Sequence, residues 1–558
     1  MAKLITASLA IACYFLFLTY RGLFTYFTPD DVTNIQFLHG YGRVPFGVIF
    51  AQAIATFTPE YRPVGGLYYR ALYALFGFHP LPFRVVFFGL LFLNLFLAGR
   101  WFRILTDLYP ATFFGALFFS FHPGLSQLYF NDGTIYDVLC FFFFVLALSL
   151  YVRIRKTGRH LETPQLIQIA ALFALALGSK EMAIMLPAVF VLYEVLFWPK
   201  PVDPFIRIKP ILLTASMALL CISIKVFVPN QMSTNKLYSP WRPLSQIAAA
   251  YLHYHRLLLF SSALNLISLI AILIGALCIG LALRSRFMIF GLLFTLVTLL
   301  PVCVIAPRAG FVWYLPLLGY SLYLGAVFAR ISALRPAILE PVLFSTLVVL
   351  LLMLELPLAR DAEHFYTEEQ GQLRTLAEAA KTSAPSLAAN SRLLLLRDPF
   401  PLENPWSALF AIRLAYGDPT IWVDRTFQLG RAYDPSDLSL YAMTLDWNGS
   451  KYVTRVQPQE QGPPLRIAVA PAVIHRRQNA AFSLSSNLRP CDVDVAYRMP
   501  EDELLRSGVW IHWTDLNPAG QGLIHIDQDA ERGPVNINRI RLCRGPWMPA
   551  QGSFLIIP

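Results

Sequence analysis

Runs of apolar residues long enough to cross a bilayer recur along this chain, near residues 4–26, 83–105, 110–128, 134–152, 164–179, 182–198, 210–228, 264–283, 287–306, 311–329 and 337–357. A helix needs ~20 such residues to span the hydrocarbon core. Inside lipid every backbone N–H and C=O must be paired within the protein, which leaves helices as the form these runs can take. About eleven transmembrane helices are therefore predicted. Composition agrees: 14% of residues are charged, whereas about a quarter are in a soluble domain.

The first run includes SLAIAC, but its apolar stretch continues past Cys13 to Tyr20 with no small-residue exit, so an uncleaved anchor is expected. Cys13, Cys140, Cys221, Cys278 and Cys303 lie in apolar runs, which excludes a disulfide scaffold or a zinc site. Cys491 and Cys543 fall in polar sequence and suit a bridge in an oxidising compartment. The net charge of +11 comes without an arginine-aromatic stripe, so it points to cytoplasmic loops and not to nucleic acid.

With the N-terminus inside, the inner loops hold Arg100 and Arg103, Arg153 to Arg159, Lys200 to Lys209, Arg284 and Arg286, and Arg330 and Arg335. Every inner loop is then basic, as the positive-inside rule requires. The same assignment puts FTPDDVTN, EYRPVGG, FNDGTIYD, GSKE and APRAG at the outer side, with a first outer loop over 27–80. The predicted fold is an α-helical membrane domain, 1–358, followed by a soluble outer α/β domain, 359–558. In that tail EEQGQLRTLAEAAKTS and NPWSALFAIRLAYGDP read as helices. SRLLLLRDP, TIWVDR, YVTRVQ, LRIAVAP, VWIHWTD, GLIHIDQD and GSFLIIP read as strands between turn residues. Trp510 and Trp513 suit either core packing or stacking on a sugar, and the sequon-like Asn448-Gly-Ser is not informative by itself.

Ionisable groups at a membrane edge are costly and are usually paired or functional. Asp30, Asp31, Glu60, Asp132, Asp137 and Glu181 gather on the outer side with Arg62, Lys180 and Arg308. In order, the segments are PDD, YRPVGGLYYRALYALFG, FHPGLSQLYFNDGTIYDVL, LGSKEMAIMLP and APRAGFVWYLPLLGY. Over residues 1–330 this series resembles the GT-C class of membrane glycosyltransferases, in particular the branch of protein O-mannosyltransferases and transmembrane O-mannosyltransferases. Two departures stand out. No tetratricopeptide repeat follows the membrane region, and the late arginine stands as RAGFVWYLP and not in a tighter acidic-Arg-Tyr cluster.

The resemblance implies an inverting transfer of a sugar from a polyprenyl-phosphate donor to an acceptor hydroxyl on a protein or glycan, on the outer side of the membrane. A bacterial inner membrane is expected because no eukaryotic retention signal appears, while the topology alone also suits an endoplasmic reticulum. Elementary chemistry asks for the same residue types. A carboxylate takes the hydroxyl proton. The leaving phosphate is a stable anion, so cations replace the acid of a glycosidase pair. By resemblance Asp30 is the base, with Asp31 binding acceptor, a metal or a structural cation; the alternative is that PDD caps a helix starting at Val32. Lys180 and Arg308, with Arg62, are candidates for the donor phosphate, Glu181 for orienting Lys180, and His122, Asp132, Asp137 and Tyr314 for support.

Residues 43–78 read as interfacial helices. No cofactor is expected; a divalent metal held by Asp30, Asp31, His122 and Asp132 is the alternative, and His39 is a further histidine nearby in sequence. The competing functions are a lipid-linked saccharide transporter, whose charges belong near the bilayer midplane, and a polysaccharide polymerase or ligase. Glu194 and Lys225 are the strong exceptions to placement at the outer helix ends, and both lie toward helix ends.

Overall fold

The apolar runs fold as helices in the computed structural model. It describes residues 2–39, 62–197, 204–227, 242–333, 339–389, 391–401, 406–418, 420–425, 441–456, 466–471, 473–475, 478–483, 492–498, 506–511, 521–524, 534–543 and 550–557. In chain order the helices of ten or more residues are α1 (Ala2–Thr19), α2 (Pro29–His39), α3 (Pro63–Phe76), α4 (Pro80–Thr106), α5 (Tyr109–Ser120), α6 (Ile135–Lys156), α7 (Thr163–Leu177) and α8 (Leu186–Phe197). They continue with α9 (Pro204–Phe227), α10 (Leu244–Leu258), α11 (Leu266–Ala282), α12 (Arg286–Cys303), α13 (Tyr314–Ala333), α14 (Leu339–Ser383) and α15 (Ser407–Tyr416). Among the described residues six helical segments are long and apolar enough to cross a membrane: Thr6–Phe24, Pro80–Thr106, Asp132–Lys156, Arg286–Cys303, Gly310–Ala333 and Pro341–Ser383.

One expectation needs correction, and one expected helix proves longer than its segment. The run predicted over 110–128 is broken after Ser120, where α5 ends; a 3-10 turn, Pro123–Leu125, and a five-residue helix, Ser126–Phe130, follow. His122 before Pro123 is forced into extended backbone, φ −153° and ψ 122°, because proline disfavours the α-region in the residue before it. Further on, EEQGQLRTLAEAAKTS is helical as expected, and it continues α14, which runs 45 residues through Pro357. Its polar half is supported by pairs along the helix, Arg360 to Glu363 at 2.6 Å and Arg374 to Glu378 at 2.7 Å.

The chain divides into two compact units. The first comprises Met1–Thr25, Phe46–Leu72 and His79–Thr367, the second Tyr26–Pro45, Tyr73–Phe78 and Glu368–Pro558. In the first unit, aromatic side chains fill the helix interfaces, with Trp101 against Phe290 and Phe294, and Tyr151 stacked on Phe190 at 3.9 Å. Polar groups collect at the helix ends. At the C-terminal ends, Lys156 bonds the Asp107 carboxylate and the Ile104 carbonyl beyond α4 and α6. There too Arg155 forks onto Glu194 at 2.7 and 3.0 Å, with the Tyr151 hydroxyl donating to the same carboxylate. At the N-terminal ends of α4 and α6 lies a second buried pair, Arg84 with Asp132.

The second unit contains two sheets. Strands β1 (Arg392–Arg397), β2 (Trp422–Arg425), β3 (Met443–Trp447) and β4 (Tyr452–Val456) form the first, in the order β2-β1-β3-β4. β1 is parallel to β2 and β3 and β4 is antiparallel, with α15 as the crossover between β1 and β2. Leu393, Leu394 and Leu395 of RLLLLR are buried in this central strand and Leu396 is half-buried, as parallel strands require. Strands β5 (Arg466–Ala470), β6 (Val473–Ile474), β7 (Ala480–Ser483), β8 (Asp492–Arg498), β9 (Arg506–Ile511), β10 (Gln521–Ile524), β11 (Val535–Cys543) and β12 (Ala550–Ile557) form the second, ordered β10-β7-β5-β12-β11-β8-β9 with β6 beside β11. Trp513, Cys491, Glu60 and most of the 43–78 segment lie outside the described residues.

Candidate functional site

Four of the five sequence segments meet in the first unit. Arg62 stands just before α3, whose first turn is fixed by the Val64 amide donating to the Gly178 carbonyl at 3.2 Å. From there its guanidinium forks onto Glu181 at 2.8 and 3.3 Å and lies over the Tyr136 ring, 5.4 Å from its centre. Gly65, one turn on, lets α3 approach α6: a Cβ there would sit 2.2 Å from the ring of Tyr136.

Lys180 closes the network. Its ammonium donates to both oxygens of Asp137 at 2.6 Å and lies 4.5 Å from the centre of the Phe311 ring. Burial lowers the Lys180 pKa despite the opposing pull of Asp137. Phe311 comes from the APRAGFVWYLP segment, in a turn that packs against the HPG turn so closely that a Cβ on Gly310 would lie 1.6 Å from the Gly124 carbonyl oxygen. The segments around Arg62, Asp137, Lys180 and Phe311 thus form one alternating cluster of two cations, two carboxylates and two rings.

The pairing differs from expectation in one respect. Glu181 does not orient Lys180; Asp137 does, and Glu181 serves Arg62. Lys180 is extended, φ −158° and ψ 149°, immediately before the turn Glu181–Met185. An extended residue directs its side chain away from that of its neighbour.

The remaining expected residues have local roles. Asp132 is buried and held by Arg84 at 2.9 Å, with the Tyr68 hydroxyl at 3.2 Å. Arg84 and Tyr68 are members of this polar layer that the sequence reading missed, although a lone arginine in PLPFRVVFF is itself a signal. His122 is stacked on Phe260 at 4.7 Å; its Nδ1 accepts from the Gly124 amide at 3.1 Å and its Nε2 faces the Leu258 carbonyl at 3.1 Å. Burial pushes its pKa down to about 4. With Nε2–H donating and Nδ1 accepting, neither nitrogen is open to a metal, which corrects its place in a divalent site. Tyr314 is buried between Phe119 and Phe141, at 5.4 and 4.7 Å. The Arg308 amide donates to the Tyr254 hydroxyl at 2.9 Å, and Trp313 donates to the Tyr254 carbonyl at 2.8 Å, fixing the loop that carries Phe311. Among the described residues no group of three or more His, Cys, Asp or Glu is placed to hold a metal ion.

In the second unit the acidic pair divides its work. Thr28, not Pro29, caps α2: Asp31, fully buried, accepts from the Thr28 amide at 2.8 Å and hydroxyl at 2.9 Å, while the Asp31 amide faces the Thr28 hydroxyl at 3.2 Å. This is the reciprocal arrangement of a capping box with an aspartate in the third helical position, so the helix starts three residues before Val32. Asp30, on the next position round, is exposed. The preceding Phe27 is stacked on Phe78 at 4.5 Å.

No family model matches the chain, and no curated protein matches it. Fold and site define a helical membrane protein with an ionic cluster at one end of its helices and a sheet-containing C-terminal region.

Proposed function

We propose that this protein is an inverting glycosyltransferase of the GT-C class, resembling the O-mannosyltransferase branch, which moves a sugar from a polyprenyl phosphate to an acceptor hydroxyl on a protein or glycan. The observation that carries the reading is the convergence of four sequence-distant segments on the Arg62–Glu181 and Lys180–Asp137 cluster. Hydrocarbon-facing structure alone gives no reason for two cations and two carboxylates to gather there. In the proposed reaction Asp30 accepts the proton of the hydroxyl as its oxygen bonds to the anomeric carbon. The carbon–oxygen bond to phosphate breaks, and polyprenyl phosphate leaves as an anion. Arg62 and Lys180, with Arg308, neutralise that phosphate, and Asp137 and Glu181 hold the two cations in place between turnovers. No cofactor is required.

The placement of the buried pairs favours an enzyme over a transporter. Arg84–Asp132 and Lys180–Asp137 lie at one set of helix ends and Arg155–Glu194 at the other, whereas transporter charges belong at the midplane on broken helices. We further propose eleven crossings, the shorter helices included, with the N-terminus cytoplasmic and the C-terminal region outside a bacterial inner membrane. Cleavage of the donor with water as acceptor tests the reading without knowledge of the natural acceptor. Purified protein in nanodiscs is expected to release polyprenyl phosphate from polyprenyl-phosphate hexose; no release across several hexoses, with no retention of the donor, counts against it.

A further inference from the structure

A cavity of about 840 Å³ opens at the other end of the first unit, among the C-terminal ends of α8, α11 and α13 and the start of α12. Its rim carries Arg284, Arg286, Arg330 and the exposed Ala333, and its wall includes Phe197, Phe287 and Ala329. Among the described residues none of the three arginines pairs with a carboxylate, and no carboxylate lines the cavity. Arg286 and Phe287 open an 18-residue helix whose N-cap, Ser285, accepts from the Met288 amide at 3.4 Å, which leaves the amides of Arg286 and Phe287 as the first-turn donors that can attract an anion. Ser332 lines the same space through its residue edge, while its hydroxyl is shielded from solvent.

We propose that this cavity binds the headgroup of an anionic glycerophospholipid. Three guanidinium groups and a helix N-terminus match phosphodiester oxygens, since arginine offers paired donors to such an anion. The aromatic and alanine wall has no role for a small soluble phosphate but suits the glycerol and first methylenes of an acyl chain. Basic cavities between membrane helices, at the level of the headgroups, are a recognised form of lipid site. The inference rests on membrane placement alone and not on the glycosyltransferase reading.

The test is native mass spectrometry of the full chain in detergent, titrated with phosphatidylglycerol or phosphatidylcholine. Wild type is expected to retain one phosphatidylglycerol in preference to phosphatidylcholine. The triple variant Arg284→Gln, Arg286→Gln, Arg330→Gln is expected to lose at least about tenfold in retention, since each basic residue near an anionic lipid contributes roughly fivefold. Ala333→Trp, at an exposed position on the rim, fills the mouth while keeping all three charges and is expected to reduce retention as well. Far-ultraviolet circular dichroism verifies that both variants fold. Equal retention of the two lipids, or wild-type retention by the triple variant, overturns the proposal. Unchanged binding by Ala333→Trp shows an open basic surface and no cavity site, and complete displacement by millimolar inorganic phosphate shows a free-anion site; either also overturns it.

Discussion

Lys180 and Asp137 are both nearly solvent-free, with side chains 10% and 4% exposed. Replacing Lys180 by Met keeps length and removes charge, leaving the Asp137 carboxylate buried without its ammonium. Removing one partner of a buried pair costs about 3–5 kcal/mol. Here Arg62 also acts on Asp137 electrostatically, which moves the expectation toward the lower figure, about 3 kcal/mol. Asp137→Leu strands the lysine and is expected to cost a similar amount. In the double variant no charge is stranded, and replacing a whole buried pair by apolar groups is often close to neutral. Equilibrium unfolding by sodium dodecyl sulfate in mixed micelles measures all four proteins. A coupling of about 2 kcal/mol or more between the two sites is expected, since groups in one network fail to add. Donor retention, measured in parallel, is expected to stay low in the double variant even as stability returns. Single variants within about 0.5 kcal/mol of wild type, or a double variant showing the sum of the two losses, would refute the reasoning.

Gly310→Ala places a Cβ against the Gly124 carbonyl and is expected to destabilise by about 3 kcal/mol or more, because backbone must move; Gly89→Ala in α4, with open space around it, is the matched control and should be neutral in the same unfolding assay. His122 gives a pH dependence. Its folded pKa of about 4 lies below the ordinary 6.5, so its neutral form contributes fully above pH 6.5. As pH falls toward 4 the unfolded chain takes up a proton that the folded chain refuses, and stability falls by on the order of 3 kcal/mol. Unfolding midpoints of wild type and His122→Gln between pH 7.5 and 4.5 are expected to show a shallower slope in the variant; identical slopes remove His122 as the cause.

The helical class was legible because a bilayer admits so few forms: apolar length alone placed α4, α6, α12 and α13 to within a few residues. Helix ends were harder to read where local chemistry overrides hydropathy. His122-Pro123 stops α5 inside an apolar run, and α14 passes through Pro357 into polar sequence because its charged pairs lie three or four residues apart. For the cluster, the sequence marked Arg62, Asp137, Lys180 and Glu181 as charges at membrane edges, but partner choice depends on side-chain direction. The extended backbone at Lys180 sends it to Asp137, 43 positions away, and leaves Glu181 to Arg62. Phe311 was not distinguishable from any other aromatic in an apolar run. The two aspartates of PDD looked alike in sequence; the capping Thr28 decides that Asp31 is its partner in the capping box and Asp30 the exposed carboxylate.

That division makes the acidic pair the most direct test of the proposed chemistry. In nanodiscs with polyprenyl-phosphate hexose, Asp30→Asn keeps size and loses the proton acceptor, so polyprenyl phosphate release should fall roughly 100-fold or more while donor retention survives. Asp31→Asn, altering a helix cap, should cost about 1 kcal/mol in stability and leave release within a few-fold of wild type. Release by Asp30→Asn at the wild-type rate, or an inactive but folded Asp31→Asn beside an active Asp30→Asn, would contradict the assignment of Asp30 as the base.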